Sequence, residues 1–130
     1  MMHEIVDRLQ MAPCGNTELD GLIDQALSAV GQLAGASWLS VYVAGHGGGW
    51  SSDLGQALTL LPEGYNFSLG LRDGIYWAWI QPNDRWEPGE NESRHDHPLG
   101  SGLLVGYTAT LALSAAAIML WARRIKVRAA

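Results

Sequence analysis

The segment Ala44-Gly45-His46-Gly47-Gly48-Gly49 sets a histidine in a run of glycines. Loops of this kind can turn backbone N–H groups toward an anion. In esterases a similar loop forms an oxyanion hole. That chemistry needs a serine on a G-x-S-x-G elbow, which Leu99-Gly100-Ser101-Gly102 does not supply. No Gly-Lys-Ser/Thr follows, so this is not a Walker loop. Two readings stay open: an anion-holding loop beside His46, and a plain flexible linker. His95-Asp96-His97 offers two metal ligands where zinc normally needs three or four, and the other histidines are His3 and His46. The sequence therefore predicts an exposed loop there, with no metal. Glu87, Glu90 and Glu92 lack the rigid setting that acid–base work requires, and read as solvating charge. Cys14, between Pro13 and Gly15, has no neighbouring base to activate it. No catalytic residue and no cofactor is expected.

Residues suited to binding remain. Arg72 and Arg94 are candidate anion contacts. Six tryptophans accompany a single Phe. Most should be core, but Trp is also a frequent interface anchor. Trp50, beside the glycine loop, is one candidate partner-binding residue. Trp86, in a polar stretch between Arg85 and Glu87, is the best candidate for an exposed anchor. Trp77 and Trp79 are expected in the core.

These residues need a scaffold, and 130 residues provide one domain with one real core. The chain is 48% hydrophobic and 16% charged, far from a disordered composition. The net charge is −5, unevenly spread: Arg123, Arg124, Lys126 and Arg128 form a basic tail. Four basic residues face thirteen acids in the remainder, which stands near −9. That balance disfavours nucleic acid and suits either a basic partner surface or solubility alone. A single cysteine excludes an internal disulfide and fits a reducing cytosol. The first eleven residues contain Glu4 and Asp7 and no apolar core of a signal peptide.

The pattern along the chain predicts α+β. Residues 1–34 should be helical: a short helix over His3–Met11, then one to about Leu33 capped by Asn16 or Thr17. Residues 38–80 should hold strands and a short helix: Trp38–Val43 as a strand, Asp53–Leu61 as a helix capped by Ser51 or Ser52, and a hairpin of Tyr65–Leu71 with Gly74–Ile80. Arg72-Asp73-Gly74 is a strong turn signal. The second hairpin strand is apolar on both faces, as in a strand covered on both sides or covered by a partner. Residues 81–98 form a long polar loop, a type that is often functional or disordered. A last helix should span about 107–125. The expected whole is a small antiparallel sheet of about three strands, packed by N- and C-terminal helices.

Leu99–Trp121 carries no charge and precedes the basic tail, so a membrane span is the competing reading. Its glycines, hydroxyls and alanines leave few strongly apolar residues. A helix from near Thr108 has only about four turns before Arg123, which suits a buried helix instead.

The order of segments is also familiar. WSSDLGQALTLLPEGY (Trp50–Tyr65) resembles an aromatic–hydroxyl–helix signature ending in an "LTLVPEGW"-like run. YNFSLGLRDGIYWAWIQP matches the Trp-rich hairpin that follows it, and TATLALSAAAIMLWARR the closing alanine-rich helix. ELDGLIDQAL matches the N-terminal "ELDxxIxxAL" helix. Together these resemble the phage alpha-beta-alpha sandwich domain family. The GHGGG loop, the extended acidic segment before the last helix and Leu111, in place of a usual proline, depart from its pattern. The resemblance carries over no catalytic residue. It implies a phage-encoded binding protein in the host cytoplasm, acting as a counter-defence inhibitor. Its partner would be a host defence protein complex, docked as anti-CRISPR proteins dock, or a small nucleotide signal sequestered by a homo-oligomer. A phage assembly factor is the alternative from the structural class.

Overall fold

The computed structural model describes residues 2–33, 49–61 and 64–129. The predicted strand Trp38–Val43 and His46 lie outside these residues. Helix α1 spans Met2–Met11 and α2 spans Thr17–Leu33. Asn16 caps α2: its Oδ1 accepts the Leu19 N–H at 2.9 Å, satisfying one free donor of the first turn. Ile5, Val6 and Leu9 of α1 and Leu19, Ile23, Ala26 and Leu27 of α2 recur at helical spacing and are all buried. A five-residue helix α3, Leu54–Leu58, is shorter than the sequence predicts. Asp53 caps it, rather than Ser51 or Ser52, by accepting from the Gln56 N–H.

The sheet has strand order β1-β2-β3, all antiparallel. Strand β1 (Tyr65–Arg72) and β2 (Ile75–Pro82) form the predicted hairpin. Asp73 and Gly74 both take positive φ, 54° and 78°, a pairing that lets the turn follow the strand twist. The third strand, β3 (Leu104–Gly106), lies inside the uncharged run near the C-terminus, so β2 is central. That run therefore divides into β3 and helix α4 (Ala109–Ala129). Among the described residues no helix is long and apolar enough to cross a membrane.

Helix α4 is the axis of the core. It packs against α1, α2, α3 and all three strands, and every side chain from Thr110 to Ile118 is buried. This explains its alanines: a helix enclosed all round needs small side chains to let neighbours approach. A Cβ on Gly106 would come within 2.7 Å of the Ala112 nitrogen, so strand and helix backbones meet directly there. Trp121 closes the far end, donating its indole N–H to the Leu60 carbonyl at 2.9 Å.

A second clamp joins α2 to the Trp50–Ser51 turn. The buried Asp20 carboxylate accepts from the N–H groups of Ser51 (2.7 Å) and Gly49 (3.1 Å). Asp24, one turn along, accepts the indole N–H of Trp50. Ser114 donates to the Trp50 carbonyl. A Cβ on Gly15 would lie 2.1 Å from the Ser51 carbonyl oxygen, so only glycine fits.

Candidate binding face

Side chains alternate along a strand, so β2 sends Tyr76, Ala78 and Ile80 one way and Ile75, Trp77 and Trp79 the other. Ala78 and Ile80 are fully buried and face α4. Trp77 and Trp79 are half-buried on the opposite, outer face and stand apart from the core cluster. Their core placement, expected from tryptophan's usual burial, is thus corrected. The two indoles stack at 5.0 Å with planes 16° apart. Room for Trp77 comes from β1: its cross-strand partner is Gly70, where a Cβ would sit 2.0 Å from the ring.

Strand β3 extends the same surface. Val105 pairs with Trp77, and Leu103 and Tyr107 flank Val105 at the spacing that keeps them on its side. Ile75, Leu103, Val105 and Tyr107 are exposed by 43, 45, 41 and 55%. With the tryptophan pair they form a contiguous apolar face. Soluble proteins rarely leave such a face open without a binding role. Within the described residues, helices cover only the other side of the sheet. The Trp79 indole N–H and the Gln81 Oε1, two residues apart on β2, are buried without a hydrogen-bond partner among the described residues. Unpaired buried polar groups are uncommon enough to mark a surface not yet complete.

The long loop borders this face, and it is built rather than loose. His97, expected on an exposed loop, is 4% exposed. Its Nδ1 accepts the Leu99 N–H at 3.0 Å, which leaves the neutral ring's proton on Nε2. That nitrogen donates to the Asp84 carboxylate at 3.0 Å. Two contacts hold the Asp84 carboxyl below its ordinary range: first the Trp86 N–H on Oδ1, then His97. Trp86 packs on the His97 ring with centroids 5.0 Å apart, so this predicted exposed anchor is half-buried. Further along, Glu92 accepts the Gly89 N–H, and Asp96 accepts that of Ser93. A 3-10 turn, Arg94–Asp96, then lays His95 against Trp79 at 5.8 Å. The loop thereby becomes one wall of the tryptophan face.

The candidate residues divide as follows. Trp50 is 0% exposed and belongs to the clamp on α2, out of reach of a partner. Arg72 is at the hairpin tip, 3.9 Å from Asp73, with both side chains almost fully exposed. Arg94 is exposed on the 3-10 turn next to His95. Cys14 is a free, exposed thiol. No group of three or more metal-ligand side chains occurs among the described residues. Sequence reasoning passed over Leu103, Val105 and Tyr107. Their only signal was an apolar residue at every second position after Gly102, hidden by the expectation of helix nearby. No protein family, curated protein or solved structure matches this chain.

Proposed function

We propose that this chain is a non-enzymatic binding protein that docks through the outer face of its sheet. The observation that supports this best is the apolar outer surface, in which exposed Ile75, Leu103, Val105 and Tyr107 surround the half-buried, stacked Trp77 and Trp79. Stacked tryptophans framed by aliphatic side chains have the composition of an interface centre, with large apolar area at low entropic cost. The Asp84–His97 pair, which resembles part of a catalytic relay, is committed to the loop: both ring nitrogens already have partners. Its role is support of the wall beside Trp79.

The resemblance to phage alpha-beta-alpha sandwich proteins extends the proposal to counter-defence in the host cytoplasm, with a host defence protein as the occupant. A protein surface suits this face better than a nucleotide does. Arg72, the nearest cation on β1, is turned to Asp73 rather than gathered with others into a phosphate site.

The test is plating efficiency of a phage on hosts with and without a defence system, each expressing the chain. Rescue should occur only with the defence present, and should be lost in Leu103→Glu/Val105→Glu. Rescue that survives this substitution, or no defence-dependent effect, rejects the proposal.

A further inference from the structure

The two edges of the sheet are finished differently. Val105 of β3 turns its N–H outward, and Gln10 of α1 accepts it through Oε1 at 3.1 Å. The three-residue β3 is thus short and capped, two ordinary ways of closing an edge. Strand β1 has eight residues, with no proline and no lysine to guard it. The two-residue turn makes Arg72 and Ile75 a hydrogen-bonded pair. Arg72, Gly70, Ser68 and Asn66 therefore bond β2, and Phe67, Leu69 and Leu71 direct their N–H and C=O groups away from the sheet. Those three N–H groups have no partner among the described residues. The same residues carry the apolar side chains of the strand, with Phe67 exposed by 42% and Leu71 by 58%.

We propose that β1 is a self-association edge, pairing antiparallel with β1 of a second copy of this chain about a two-fold axis at Leu69. This edge is separate from the outer face of the sheet. A dyad at Leu69 pairs the outward backbone groups with one another, Leu69 with Leu69 and Phe67 with Leu71 in both directions. About six main-chain hydrogen bonds form. Each exposed Phe67 meets an exposed Leu71, a favourable cross-strand contact. The charges agree: Arg72, the strand's one charged residue, falls opposite Asn66 of the second copy, so like charges do not meet. Two three-stranded sheets become one of six strands, and the tryptophan face is doubled on one side of it. An edge without a partner strand among the described residues becomes one closed by an isologous contact.

The test is size-exclusion chromatography with light scattering, loading the full chain up to about 1 mM, a range that reaches weak association. The expected mass rises with concentration toward twice the 14.0 kDa of the chain. Phe67→Lys/Leu71→Lys, at exposed positions, should stay at the chain mass with unchanged far-UV circular dichroism. In a Cys14→Ser background, Phe67→Cys/Leu71→Cys should give a covalent dimer with a short bis-maleimide, fixing the register. Three results overturn the proposal: wild type at the chain mass throughout, a dimer indifferent to the lysine pair, or no crosslink. A dimer abolished by Val105→Glu but not by the lysine pair would place self-association on the outer face instead.

Discussion

The two faces of β2 carry nearly equal apolar content to opposite ends. Ala78 and Ile80 meet an alanine-rich helix and are fully buried, and Tyr76, partly buried, packs against the same core. Ile75, Trp77 and Trp79 meet no helix within the described residues, and instead stack, lean over Gly70 and receive His95 from the loop. Bulk hydrophobicity does not separate them; the size of the facing residues does. Small residues on α4 bring its backbone against the sheet on one side. On the other, tryptophans hold a broad flat surface open. The inner face is a stability device, and the outer face is the docking surface we propose.

Substitutions that cost stability on one face and recognition on the other would sharpen this contrast. The largest stability loss is expected inside. Trp50→Ala removes a fully buried indole and its bond to Asp24, and should cost about 3–5 kcal/mol in chemical denaturation. Ile80→Ala should follow at about 2–5 kcal/mol. His97→Ala comes next: it strips partners from the Leu99 N–H and from Asp84, for about 1–3 kcal/mol. The same change should shift Trp86 fluorescence. Leu103→Glu/Val105→Glu should alter stability by only about 0.5 kcal/mol per site, yet abolish partner binding. A large stability loss there would show the outer face to be core.

A pH titration gives the smallest effect. Asp84 has a lowered pKa in the folded state, so its contribution is complete above the ordinary carboxylate pKa of about 4 and is lost as pH falls through the folded value. Trp86 fluorescence should therefore change in mild acid, below about pH 4, and Asp84→Asn should flatten that step.

Much of the fold could be read from the residues because the local signals were unopposed. Helical spacing located α1 and α2, Asp73-Gly74 located the hairpin, and the alanine run located α4. What escaped reading depends on contacts made far along the chain. Strand β3 is three residues long, too short to establish a period, and exists because β2 offers it an edge. Asp53, rather than a serine, caps α3 because Ser51 is taken by Asp20 across a separation of 31 residues. The order of the 81–98 loop comes from buried His97 together with Asp84, Glu92 and Asp96 accepting nearby backbone N–H groups, all polar residues that look solvated in the sequence. For the site, alternation in β2 revealed two apolar faces and could not say which one α4 would cover. The type and neighbourhood of Trp50 suggest a partner residue, and neither encodes the clamp that buries it. His46 lies outside the described residues.

Oxidative footprinting of this chain, purified alone and then mixed with host lysate, tests docking through the outer face. Trp77, Val105 and Tyr107 should become protected in the lysate, while Met11, 77% exposed at the end of α1, should be labelled equally in both. Equal labelling of the tryptophan face in both samples, with counter-defence activity intact, would contradict it.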